Sequence, residues 1–341
     1  MIADRAAENE KMTEPTSHSE TVTVSPAAPG ARELVSCYLE LAKARLAALV
    51  VATAVVGYVL AARGTFDAGE LLWTALGTAL TAFGANILNQ WWEADRDRRM
   101  ERTRNRPLPA GRVSRRTALA WGLASSVVGL AVLDLGTNRL TAALALFVIL
   151  LYVLVYTPLK VLTPLNTVVG AVCGAVPPMM GWAAATGRLD LGAWILGGIL
   201  FVWQVPHFLA LAWLYREDYA RGGFRMMPAA DPEGVITGRA AFLYALALLP
   251  ITGALALAGV TGVTYLVLSQ VVGLGFVVLG WAFARRRVRV TARRLFLASI
   301  IYLPVLLGLM VGDMDDRMAR LAGFEPSPRT EVAMVVSGLE P

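Results

Sequence analysis

The sequence predicts an all-α membrane protein, a bundle of nine transmembrane helices with its amino terminus in the cytoplasm and its carboxyl terminus outside. Three observations carry that prediction. Of the 341 residues, 56% are apolar and 16% charged, against about 45–50% and about 25% in soluble domains. Eight runs contain no Asp, Glu, Lys or Arg: 46–62, 71–92, 117–133, 140–159, 161–187, 191–215, 240–284 and 295–312, together 191 residues. The basic residues crowd into alternate connections between those runs.

A helix needs about 20 apolar residues to cross a ~30 Å hydrocarbon core, so seven of the runs are single spans. The run 240–284 would reach roughly 67 Å as one helix, over twice the bilayer, and must fold back, at Gly259, Thr261 and Gly262. Backbone amides in lipid have to be paired within the protein, which dictates a helical bundle. A transmembrane β-barrel, whose strands are about 10 residues, is excluded by run length. With the amino end inside, the cytoplasmic connections hold twenty Lys and Arg, and the opposite side holds Arg63, Arg139 and Arg188. That asymmetry fixes orientation. The net charge of +6 therefore reports topology, and a nucleic-acid partner is not expected.

Residues 1–33 are polar and read as a disordered cytoplasmic tail, since the charged-then-apolar start of a signal peptide is missing. Residues 34–313 form the transmembrane domain and 314–341 an extracytoplasmic tail. Cys37 and Cys173 have neither metal-ligand nor disulfide spacing and read as small core residues.

Chemistry begins at the cytoplasmic end of the second span, Asn86-Ile-Leu-Asn89-Gln-Trp-Trp-Glu93-Ala-Asp95-Arg-Asp97. Asn89, Glu93 and Asp97 are four apart and line one helix face, while Asp95 falls on another. An amide and two carboxylates on a stripe offer hard oxygens to Mg²⁺, which takes one or two carboxylates and completes its shell with substrate phosphate and water. The alternative is a span end whose acids meet water and pair with the arginines that follow, with Trp91 and Trp92 as interfacial anchors. The next connection carries Arg96, Arg98, Arg99, Arg102, Arg104 and Arg106. Such forks suit phosphate oxygens, and equally suit orientation and anionic lipid.

The sixth span carries Trp203-Gln204-Val-Pro206-His207-Phe208, then Arg216-Glu217-Asp218-Tyr219. His207 and Asp218, eleven residues apart, share a helix face at different depths and can look into one cavity, with Pro206 kinking the helix beside them. His207 is the membrane's only histidine, because His18 lies in the tail. Function is the default reading of such a residue, and a hydrogen bond between helices is the other. Lys160 ends the fourth span on the side of Glu93, Asp97 and Asp218. Lys43 and Arg45 sit just inside the membrane, where snorkelling anchors are the plainer reading.

These residues resemble a family. Asn89-x3-Glu93-x3-Asp97 followed by Arg-Met-Glu-Arg-Thr-Arg-Asn-Arg-Pro is similar to the first aspartate-rich motif of the UbiA superfamily of intramembrane prenyltransferases, in particular its protoheme IX farnesyltransferase (heme O synthase) branch. Tyr156-Thr-Pro-Leu-Lys160, Pro164-Leu-Asn-Thr-Val-Val-Gly170, Pro177-Pro178 with Gly181-Trp182, and Trp203 through Phe208 to Asp218-Tyr219 resemble the same branch, over about residues 35–312. Two departures stand out. Glu93 replaces the usual Asp, and the second motif's pair of Asp four apart is reduced to Asp218, flanked at that spacing by Leu214 and Gly222.

The resemblance implies a nine-helix UbiA prenyltransferase bundle in the bacterial cytoplasmic (inner) membrane. It implies Mg²⁺-dependent farnesyl transfer from farnesyl diphosphate to a vinyl group of heme b, giving heme O and diphosphate. Asn89, Glu93, Asp97 and Asp218 would be catalytic metal ligands, with Glu217 as a helper to Asp218. Lys160, Arg102, Arg106 and Arg216 would bind diphosphate, and His207, Trp203 and Gln204 the heme. Membrane lipid and a heme A synthase or oxidase-assembly protein are the expected partners. Two rivals are a relative acting on an aromatic quinone precursor, and a heme or lipid transporter without catalysis; clustering of the acids at the cytoplasmic end argues against the transporter.

Overall fold

The computed structural model describes residues 31–63 and 66–314. Among these there is no strand, and nine helices are long and apolar enough to cross a bilayer. A short helix α1 (Ala31–Leu41) precedes them. The nine begin with α2 (Ala44–Ala62), α3 (Ala68–Asp97), α4 (Arg115–Gly136), α5 (Arg139–Leu159), α6 (Asn166–Thr186) and α7 (Leu191–Leu214). Two short helices, α8 (Arg216–Arg221) and α9 (Met227–Ala230), lead to α10 (Val235–Leu257), α11 (Val263–Arg285) and α12 (Arg289–Gly312). Of the two expected tails, only 31–33, which open α1, and Met314 are described; the rest lie outside the described residues.

Local chemistry sets the helix ends. Asp67 accepts from the amides of Gly69 and Glu70 at the start of α3, Ser114 from Thr117 at α4, and Asn138 from Thr141 at α5, each satisfying an amide that lacks an intrahelical partner. The long apolar run folds back where its glycines predict. Gly259 takes φ +70°, a conformation that costs glycine little. The carboxylate of Asp313, beyond α12, accepts from Tyr265 N at 2.5 Å, and its carbonyl accepts from Gly262 N at 2.7 Å. An acidic residue thus closes the positive end of α11.

Between helices in lipid, association depends on close packing more than on apolar burial. α2 and α6 meet where a Cβ added to Gly57 would lie 2.0 Å from the Pro178 carbonyl oxygen, and one added to Gly181 would lie 1.7 Å from that of Ala54. Only glycine lets these backbones approach so closely. A second apolar core joins α7, α10, α11 and α12 through Leu196, Leu248, Phe283 and Leu306.

Two features position the site. At 30 residues, α3 is about 45 Å long, so its last turns carry Glu93 and Asp97 beyond its apolar part. α7 runs through Pro206 and stops at Leu214, with Tyr215 at φ −112° and ψ 22°. Asp218 therefore lies on α8, and the continuous helix expected to align it with His207 is not present. The apolar run ends at Tyr215, and the charged residues after it turn to pack on the segment following α3, where Met100 joins Ala212, Phe224 and Met226.

Candidate active site

One face of α3 presents Asn89, Glu93 and Asp97, all buried, and each meets a cation or a hydroxyl from a different element. Lys43 Nζ donates to Asn89 Oδ1 at 3.0 Å, and Asn89 Nδ2 donates to Thr157 Oγ1 at 2.9 Å. Lys160 Nζ lies 2.8 Å from Glu93 Oε1, and Arg106 Nη1 lies 2.7 Å from Asp97 Oδ2. Asp95 is exposed and pairs with Arg115 and Arg98, on the other side of the helix as its phase requires.

The lysine end of α5 is aimed by a π-helical turn over Leu151–Tyr156. Such turns insert one residue into an α-helix and recur at functional sites. Thr157 Oγ1 closes this one by donating to the Tyr152 carbonyl at 2.8 Å. Tyr152 and Tyr156 stack at 5.2 Å, and Lys160 Nζ sits 4.5 Å from the centre of the Tyr156 ring. A cavity of about 190 Å³ opens beside Glu93, lined also by Trp92, Arg96, Thr157, Pro158 and Phe224.

Charge is concentrated here. Burial, then Arg106 and Lys160, pull the Lys43 ammonium down from 10.5 to about 7. Burial acts on Lys160 in the same direction, but the adjoining Glu93 carboxylate outweighs it and holds Lys160 above its ordinary value. Like charges packed this closely are stabilised by an anion placed among them.

The turn after α3 ties in Asp218. Its carboxylate accepts from Glu101 N at 3.0 Å, Arg102 N at 3.4 Å and Arg221 Nη2 at 2.7 Å. Burial raises its pKa, but Arg221 and the two amides prevail and leave it below the usual carboxylate range. Thr103 Oγ1 donates to the Asp97 carbonyl from the same turn at 2.8 Å. Asp97 and Asp218 thus grip one segment from two helices.

The other expected residues fall in different places. Arg102 lies over the Tyr215 and Tyr219 rings. Arg216 stacks on Trp213, donates to its carbonyl and pairs with Glu217, and touches none of the α3 oxygens. His207 Nδ1 lies 2.7 Å from Ser299 Oγ on α12, and His207 is stacked between Trp203 and Phe296. Trp203 Nε1 donates to the Ser299 carbonyl, whereas Gln204 donates to Leu200 O and fills the space over Gly174 on α6. Cys37 and Cys173 are buried and free, as expected. Sequence reasoning missed Thr157, Asn86, Gln90 and Arg221, and took Lys43 for an anchor. The charge of Lys43 so close to the membrane was the available signal.

Among the described residues no three His, Cys, Asp or Glu side chains form a group that could hold a metal ion. Two buried carboxylates and an amide on one face still suit Mg²⁺, which uses few protein ligands and fills its octahedron from phosphate and water.

The model of the UbiA prenyltransferase family matches residues 50–301. Protoheme IX farnesyltransferase of Solibacter usitatus is 42% identical over 285 residues, covering 81% of this chain and 98% of that protein. Two solved structures share the fold. A digeranylgeranylglyceryl phosphate synthase superposes with a TM-score of 0.70 at 16% identity, covering 83% of this chain and 98% of its own. A UbiA homolog from Archaeoglobus fulgidus bound to GPP and Mg²⁺ superposes with a TM-score of 0.58 at 13% identity, covering 80% and 99%.

Proposed function

Because the chain belongs to the UbiA prenyltransferase family, we propose that this multi-pass membrane protein transfers a farnesyl group from farnesyl diphosphate to a vinyl group of heme b. The products are hydroxyethylfarnesyl heme (heme O) and diphosphate. The observation that supports this best is the buried oxygen face of α3 matched by Lys43, Lys160 and Arg106, each within 3.0 Å of an oxygen.

Those cations neutralise the diphosphate as the carbon–oxygen bond of the allylic ester breaks. Groups fixed before the charge develops stabilise it without reorganising. Arg102, from the turn that Asp218 holds, is assigned to the outer phosphate. Asn89, Glu93 and Asp97 would hold Mg²⁺, which supplies Lewis-acid polarisation of the phosphate oxygens when bound, while Asp218, expected as a fourth ligand, holds the turn beside them through Glu101 N, Arg102 N and Arg221. The stacked Tyr152 and Tyr156 offer ring faces to the allylic cation. The surrounding helices keep bulk water away until the vinyl carbon has attacked. The farnesyl carbon joins the terminal vinyl carbon, and the positive charge left on the neighbouring carbon is quenched by one water that loses a proton.

His207 is assigned to the porphyrin. Ser299 Oγ donates its proton to Phe296 O at 2.6 Å, so towards His207 it accepts, and the imidazole proton sits on Nδ1. Nε2 is left with its lone pair for the heme iron. Trp203 supports the ring, and Gln204 lines the neighbouring wall.

The arginine-rich ends of α3 and α11 are assigned to the cytoplasm with the amino terminus, and the membrane is the bacterial inner membrane. The product passes to a heme A synthase or an oxidase-assembly partner. Incubation of the purified protein with heme b, farnesyl diphosphate and Mg²⁺, followed by mass spectrometry, tests the reading. Heme that gains a farnesyl and a hydroxyl group supports it; unaltered heme, or heme left unaltered while an aromatic quinone precursor supplied in a parallel incubation is farnesylated, overturns it.

A further inference from the structure

The break between α1 and α2 is held in place by α3. Lys43, between the two helices, has φ 51° and ψ 53° and is the only non-glycine residue in the left-handed region among the described ones. A residue with a side chain keeps that conformation only where its surroundings enforce it. Two buried carboxamides do so. Gln90 Nε2 donates to the Leu41 carbonyl at 2.5 Å and, more weakly, to that of Glu40 at 3.4 Å; Asn86 Nδ2 donates to the Ala42 carbonyl at 3.0 Å.

At the interruption the Glu40 carbonyl keeps Lys43 N at 3.2 Å, but those of Leu41 and Ala42 have lost their intrahelical donors, and near lipid the protein has to replace them. The replacement is imperfect, since Gln90 Oε1 is buried without a hydrogen-bond partner. A buried polar atom left unsatisfied calls for an explanation beyond packing. Asn86 and Gln90 also lie on α3 within a turn of Asn89 and Glu93, so the helix that carries the oxygen face also fixes the backbone beside it.

We infer that Asn86 and Gln90 are positioning residues of the prenyl diphosphate site: by clamping the carbonyls of residues 40–42 they impose the left-handed turn at Lys43 and hold its ammonium over Asn89. This rests on the diphosphate reading above. It predicts that the clamp acts through Lys43 and through nothing else in the reaction.

The test has two arms, on Asn86→Leu and Gln90→Met in the full-length protein. Hydrogen exchange of residues 38–48, followed by mass spectrometry in detergent, should accelerate in both variants. That arm needs no catalysis, so it judges the clamp even if farnesyl transfer itself fails to appear. In the kinetic arm, KM for farnesyl diphosphate should rise on the order of tenfold, as for one lost charged hydrogen bond, and kcat should fall with it, because Lys43 also meets the charge that develops as the bond breaks. In a Lys43→Met background the same substitutions should raise KM no further, because residues acting through a shared group are not additive. Should a variant fail to accumulate, Asn86→Ser and Gln90→Asn take its place. Unchanged exchange, or KM effects that multiply with Lys43→Met, would overturn the inference.

Discussion

Lys160 Nζ and Glu93 Oε1 lie 2.8 Å apart, although 67 residues of sequence separate them. The pair joins the carboxyl-terminal ends of α3 and α5, and the π-helical turn over Leu151–Tyr156 prepares it. One inserted residue rotates all that follows by about 100°, so that Thr157 and Lys160 both face the oxygen stripe. In such a buried pair each charge depends on the other, which makes it a sensitive point to probe.

Glu93→Gln keeps the shape and hydrogen-bonding capacity of the side chain but removes its charge. Turnover should fall by about 100-fold or more, the scale for losing one preorganised electrostatic group. The elution profile of the purified protein should not change. Full turnover in a steady-state assay of Glu93→Gln would separate the pair from the chemistry.

Chelation by EDTA should stop heme conversion in isolated membranes, and added Mg²⁺ should restore it. The α3 face offers few ligands and relies on phosphate and water to complete the shell, so removal should be quick and reversible. Conversion that continues in excess EDTA would show that the cations of the protein suffice alone.

His207→Ala should move the Soret band of bound heme b and weaken its binding. Ser299→Ala, which frees the imidazole tautomer while leaving the ring, should weaken it by about tenfold, in the range for loss of an outer partner of a metal ligand. Unchanged spectra in both variants would take His207 out of the acceptor site.

Gly181→Ala tests the fold apart from the site. Its Cβ would lie 1.7 Å from the Ala54 carbonyl oxygen, and backbone cannot yield as a flexible side chain does. Overpacking of this kind costs about 1–3 kcal/mol or more. The thermal midpoint should drop, and the protein that remains folded should keep its KM for prenyl diphosphate.

Much of this was legible in the sequence because the bilayer simplifies the problem. Charge-free runs mark helices whatever packs against them, and Gly259 to Gly262 marked the one place where a run had to turn. The stripe Asn89, Glu93 and Asp97 was legible because a four-residue spacing holds within any helix. The position of Lys43 was not, because its left-handed turn depends on Asn86 and Gln90, more than 40 residues away. Asp218 misled for a related reason. Phase arguments assume that a helix continues, and α7 ends at Leu214. Arg216 turned outward to the Trp213 ring, a choice between two favourable sites that spacing does not decide.

The central claim is that the α3 oxygens and their three cations form a binding site for an isoprenoid diphosphate. Titration calorimetry with a thiodiphosphate analogue of farnesyl diphosphate, which binds but resists ionisation, addresses it directly. Binding by the wild type should require Mg²⁺ and should be lost in both Glu93→Gln and Asp97→Asn. Equal affinity in those variants, or binding indifferent to Mg²⁺, would contradict it.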